Sequence, residues 1–238
     1  NSIMIDDLML VQKVVLAIAA GYLLGSLPFA HVASRLRGVD VFTTGSTLAG
    51  TANVFFNVGH RTGAVVFVGD VAKGGAAVFA AWGIGVPPAL ILVTGGAAVV
   101  GHWKSIFTGF RGGDGMAPLM GVSLALMPAL AILGVVAGLA TVFLMRHSVL
   151  RSTWGVGVCF LAMLAISQYY QIERDLVSSL VVLASLVLLR SMFTRRRRLH
   201  LAEHPVYRDT EDEHGLEDGA DAEIDPDSEM GRTARDHR

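Results

Sequence analysis

Three polar, glycine-punctuated segments stand between long apolar runs: GSTLAGTAN at 45–53, GDVAKG at 69–74 and GHWKSIFTGFRGGDG at 101–115. Their residue types suit the handling of a phosphate. Consecutive backbone N–H groups in a glycine-rich turn form a concave anion receptor, and a helix N-terminus that follows adds partial positive charge. The candidates are Gly45, Ser46, Gly50 and Asn53 in the first segment, Lys73 in the second, and His102, Gly112, Gly113 and Gly115 in the third. Each stretch alone also reads as an ordinary turn, and only the three together are specific. Asp70 and Lys73 lie three apart, hence on one helix face, inside an apolar run where either charge alone is costly. Two readings fit them: a mutually neutralising pair in a bundle interior, or a Lys73 that also leans toward the loops and holds an anionic ligand.

The elements that must position these residues are membrane helices. Of 238 residues, 53% are hydrophobic and only 16% charged, against about 25% in soluble domains. Uncharged stretches cover 14–30, 74–101, 115–145, 152–172 and 176–189, and a span needs roughly 17 to 25 residues. Too little polar sequence remains to coat so much apolar surface in water. The expected fold class is therefore all-α, a polytopic membrane helix bundle. Lipid cannot satisfy exposed backbone groups, so irregular glycine-rich backbone beside a bilayer marks a working site.

Basic residues set the orientation. Arg35, Arg37 and Arg61 bracket the first loop, Lys104 and Arg111 sit in the third segment, Arg146 and Arg151 follow, and Arg190 with Arg195, Arg196, Arg197 and Arg198 end the last run. These stretches are expected to be cytoplasmic and the N-terminus outside. Residues 115–145, interrupted by Pro128, begin and end on the same side, so they must go out and return as two helices of about 15 residues, about 22 Å each. Short spans of that kind need shelter from neighbouring helices or a thinned bilayer. About seven transmembrane helices follow, roughly 9–35, 62–83, 87–103, 115–127, 129–147, 152–170 and 174–193, with the C-terminus cytoplasmic. No cleavable signal pattern stands apart from the first, which reads as a retained helix. Cys159 reads as a buried packing residue. Residues 1–198 carry 15 basic against 7 acidic groups and 199–238 carry 4 against 13, so the second stretch is expected to be an acidic, disordered cytoplasmic tail.

In order and spacing, the three segments, with the GSLPF turn at 25–29 and Asp40, resemble the acyl-phosphate:glycerol-3-phosphate acyltransferase family (PlsY type) over roughly residues 14–155. The resemblance implies a seven-helix bundle of the bacterial inner membrane. A cytoplasmic-side groove would take acyl phosphate and glycerol 3-phosphate and release lysophosphatidic acid into phospholipid synthesis, with no metal or other cofactor. Membrane lipids are the surroundings and nucleic acid is not a partner. Ser46, Gly50 and Asn53 are similar to the family's phosphate-cradling loop. His102 is similar to its G-H histidine, which would orient the first loop or shuttle a proton, and Ser46 and His102 are the expected catalytic positions. Lys73 belongs to its D-x-x-K-G signature and would neutralise phosphate.

Several positions depart from the family pattern. In the first loop, Leu48, Ala52 and Phe56 stand where the family has Asn, Thr and Arg, and Asp114 replaces the lysine of G-G-K-G. Ser191 and Thr194 stand at a His and an Asn, and Val149 at a Ser, while Ser152 keeps its position. Phe56 and Asp114 remove cations that would clamp a doubly charged phosphate, so a related polar acceptor is also open. A non-catalytic relative that binds lipid or acyl phosphate is a second reading. A small transporter is a third and weaker one, because the ionisable residues cluster at one face instead of lining a midplane path.

Overall fold

A computed structural model of the chain describes residues 2–148 and 150–203, with side chains for 5–148 and 150–194. The described residues up to Phe193 form one compact unit. Among the described residues all regular structure is helical: α1 Ser2–Ser26, α2 Phe29–Arg35, α3 Thr51–Asn57, α4 His60–Ile84, α5 Pro88–Trp103, α6 Met116–Leu126, α7 Pro128–Leu144, α8 Arg151–Tyr170 and α9 Arg174–Glu203, with a single 3-10 turn at Ile106–Thr108. Five stretches are long and apolar enough to cross a membrane, and α6 and α7 are the shorter apolar helices. This is a polytopic membrane bundle of the expected class.

Helices occur at every stretch expected from the sequence, with informative differences. The expected helix over 9–35 is broken after Ser26, because Pro28 has no N–H to donate and biases Leu27 away from helical backbone. The freed Leu27 carbonyl accepts from Lys73 Nζ at 3.0 Å. Helix α3 was not expected, and α9 continues to Glu203 instead of stopping near 193. The proposed boundary at 198/199 thus falls inside α9. The expectations for Val149, for the side chains of Arg195, Arg196, Arg197 and Arg198, and for residues 204–238 of the acidic tail lie outside the described residues.

Helix α6 is sheltered as expected, whereas α7, at 17 residues, is longer than expected and leaves Ile132, Leu133, Val136 and Leu139 exposed. Helix α6, about 16 Å long, packs on α4 with Ala117, Leu119, Gly121 and Val122 buried. The contact is backbone to backbone: a Cβ at Gly74 would strike the Pro118 carbonyl, and one at Gly121 the Val71 carbonyl. Such close approach is how helices bind where hydrophobicity gives no driving force between them. Helix α7 pairs with α8 in the same way. The interior holds Ala17, Val78, Ile91, Val99, Leu119, Val122, Met163 and Leu180, while Val15, Val65, Val68, Leu139, Leu161 and Val182 face outward.

Candidate functional site

The first loop is organised by one side chain. Asn53 is buried in α3, and its Nδ2 donates to the carbonyls of Val41 (3.1 Å), Thr44 (3.0 Å) and Leu48 (2.9 Å). Its Oδ1 accepts from Ser46 N at 3.1 Å and from Asn57 Nδ2 at 3.0 Å. Every hydrogen-bonding group of this amide is therefore spent on the loop. Asn53 thus fixes the backbone course of the first loop. Gly45, with φ +55°, and Ser46 sit at the exposed outer side of the loop.

The third loop folds against the first. Ala49 N donates to Gly112 O (3.3 Å), and Gly113 N donates to His102 O (3.1 Å). Gly113 has no room for a Cβ, which would land on the His102 imidazole and the Ala49 carbonyl. Glycine is thus required there by contact, and Gly50, His102, Gly112 and Gly113 converge. Gly115, at φ +91°, turns the chain into α6 beneath the Trp103 indole, which donates to Asp114 O at 2.7 Å. From α9, Arg190 donates to Gly113 O at 3.0 Å and lies over the Trp103 ring at 4.6 Å. Thr108 and Arg111 close the loop through a hydroxyl-to-carbonyl bond, and Ser105 Oγ ties it to Ser26 O at 2.6 Å.

Beneath the loops lies a buried ionic cluster. Lys73 Nζ is 2.8 Å from Asp70 Oδ1, and His102 Nδ1 is 3.7 Å from the same oxygen. With Leu27 O also accepting from it, Lys73 holds α4 to the break between α1 and α2. It borders a small space of about 10 Å³ and is absent from the lining of the large cavity.

That large cavity, about 420 Å³, has a polar end formed by Thr51, Asp70, His102, Asp114 and Ser152. Its walls descend between α6, α7 and α8 past Met120 and Val135 to Ala131 and Met163. From Ser152 to Met163 the wall runs about 16 Å along α8. An elongated apolar pocket with a few convergent polar groups is the form of an amphiphile site. Phe56 and Asp114, the two substituted positions, both line it. The Arg151 guanidinium lies 4.7 Å over the Phe56 ring at its rim. Asp114 Oδ1 accepts from Met116 N at 3.2 Å at the start of α6. Among the described residues no cluster of His, Cys, Asp and Glu is arranged to hold a metal ion.

Sequence reasoning missed Thr51, although it lies within the quoted loop, and read Arg190 only as a marker of orientation. The signal for Arg190 was weak, since its contact spans 77 residues. Cys159 is buried as expected and lines the cavity.

The sequence profile described as Glycerol-3-phosphate acyltransferase matches residues 15–200. A glycerol-3-phosphate acyltransferase of Roseiflexus sp. (strain RS-1) is 39% identical over 141 residues, 59% of this chain and 70% of the relative. That of Geotalea daltonii is 33% identical over 189 residues, 78% of this chain and 93% of the relative. Several other curated relatives are matched over 57–61% of their length. The crystal structure of PlsY, an integral membrane glycerol 3-phosphate acyltransferase, in its glycerol 3-phosphate form aligns with a TM-score of 0.66 at 30% identity, covering 80% of this chain and 94% of that one. With a profile match across most of its length and a solved relative sharing its bundle, the chain belongs to the glycerol-3-phosphate acyltransferase family.

Proposed function

We propose that the protein transfers an acyl chain from acyl phosphate to glycerol 3-phosphate, forming lysophosphatidic acid. The observation that carries this reading is the convergence of two glycine loops and His102 on the polar end of an apolar cavity. The acyl chain lies along α8, with its phosphate at the polar end of the cavity beside the paired loops. Holding both reactants in line supplies much of the acceleration, and fixed dipoles at the carbonyl supply more. The acceptor oxygen bonds to the acyl carbon and the acyl carbon–phosphate oxygen bond breaks. Phosphate leaves with the hydroxyl proton, received directly or through His102. Ser46, exposed on the loop, is assigned to the acceptor's phosphate, with Arg151 over Phe56 at the rim as a nearby cation.

The site faces the cytoplasm of a bacterium across its inner membrane, with the N-terminus outside and the acidic C-terminal stretch inside. The distribution of basic residues supports this orientation. The test is purified protein given acyl phosphate and labelled glycerol 3-phosphate: labelled lysophosphatidic acid is expected. A protein that binds acyl phosphate yet acylates no phosphorylated or free polyol supports the second reading, a non-catalytic relative. Asp114 and Phe56 in the cavity wall are the observations that favour it.

A further inference from the structure

The end of the bundle that carries the paired loops also carries an exposed patch, none of whose residues lines the large cavity. Two stretches able to cross a membrane, Ile5–Arg35 and Pro88–Thr108, stop there, so residues just beyond them lie at the level of the lipid headgroups. Phe29, Val32 and Leu36 follow one face of α2 and its C-cap, and Leu36 at its end is 82% exposed. From the other stretch, Ile106, Phe107 and Phe110 are 50%, 56% and 57% exposed. Gly109 (φ +62°) and Phe110 (φ +60°) are both left-handed, and Ser105 O holds this turn by accepting from Phe110 N at 2.8 Å. Phenylalanine rarely adopts that backbone, and here it presents the ring outward.

Cations border these side chains: Arg35, Arg37, Lys104 and Arg111 are all exposed. A run of contacts joins the two stretches. Arg35 Nη2 is 2.8 Å from Asp40 Oδ2, Asp40 Oδ1 accepts from Phe42 N at 2.9 Å, and the Arg111 guanidinium lies 4.3 Å over the Phe42 ring. Asp40 offsets Arg35, which leaves Arg37, Lys104 and Arg111 in excess. We infer that this patch docks anionic phospholipid headgroups of the surrounding bilayer. Leu36 and the phenylalanine rings enter the acyl boundary, and the three cations meet the phosphates. Charge alone would equally suit an acidic protein. The apolar face of α2 favours lipid, because it runs from Leu36 back into the span without a polar break. The inference is independent of the acyl-transfer chemistry.

The test places a reporter in the patch. The purified full chain carrying Phe107→Trp is reconstituted in phosphatidylcholine vesicles with rising fractions of brominated phosphatidylglycerol or brominated phosphatidylcholine, whose bromines quench an indole they touch. The same titrations without the substitution are subtracted to remove Trp82, Trp103 and Trp154. Quenching of the added indole should be half-maximal at a roughly five-fold lower fraction of the anionic lipid, the scale of one cation at a membrane surface. Arg37→Gln with Lys104→Gln should bring that ratio near one. Salt at about 1 M should do the same without those two changes, because the screening length falls to about 3 Å, and this arm decides the matter if the multiple variant fails to fold. Equal quenching by the two lipids overturns headgroup docking, as does a preference that survives the salt or the substitutions in a folded variant. An indole quenched by neither lipid also overturns it and marks a face turned to water, open to a soluble acidic partner.

Discussion

Asn53 and the Asp70–Lys73 pair carry different kinds of cost. Asn53→Ala leaves the Val41 carbonyl and the Ser46 N–H without that partner, while the Thr44 and Leu48 carbonyls keep Thr47 N and Gly50 N. Water reaches part of the loop, so the expected loss is about 2–4 kcal/mol instead of the full sum of orphaned groups. It should be accompanied by protease cleavage within 41–48, and a variant with unchanged unfolding and cleavage would show that the amide is dispensable. Lys73→Met leaves Asp70 charged and buried, which should cost about 3–5 kcal/mol, whereas Lys73→Met with Asp70→Asn should recover most of it. A thermal double-mutant cycle reads the coupling, and purely additive effects would contradict it. The ion pair was legible from spacing alone, because a charge three residues from its opposite on an apolar helix has few other uses. The employment of Asn53 was not, since an asparagine in a glycine loop reads equally as a ligand or as a scaffold until its five bonds are seen.

Helices explain where sequence reading succeeded and where it stopped. Long uncharged runs announce membrane helices because bilayer thickness demands them, and the division of 115–145 into α6 and α7 followed from its length and Pro128. Helix α3, seven residues long, carries neither length nor periodicity to separate it from the loop before it. The break at Pro28 was hidden because apolar sequence continues on both sides of it. The cavity itself is a property of three helices packed together, invisible in any one of them. Its inner end at Ala131 and Met163 makes a prediction for substrate choice. Ala131→Phe should shift the preferred acyl phosphate toward shorter chains, and Met163→Ala toward longer ones, each by roughly ten-fold in relative kcat/KM, the scale of a few methylenes in an apolar pocket. Competition between acyl phosphates of graded length is the assay, and unchanged preference in both variants would place the chain elsewhere.

For the whole molecule, the decisive quantity is which side of the membrane the paired loops face. Cysteines at Ser46 and Thr43 should react with an impermeant maleimide only after spheroplasts are permeabilised, with buried Cys159 giving little background. Thr43 serves as the second site because it is exposed, whereas a Cβ at Gly113 would collide with His102. Labelling of either in intact spheroplasts would invert the assigned orientation. The single amide that holds the first loop has a consequence at this same scale. When one residue fixes a backbone, its neighbours are released from doing so, and a saturation scan of 44–53 should divide sharply. Asn53 should tolerate no replacement, while the side chains at Ser46, Leu48 and Ala52 should change freely without unfolding the protein and alter only which acceptor is used. A catalyst built in this way can drift in diet without drifting in shape.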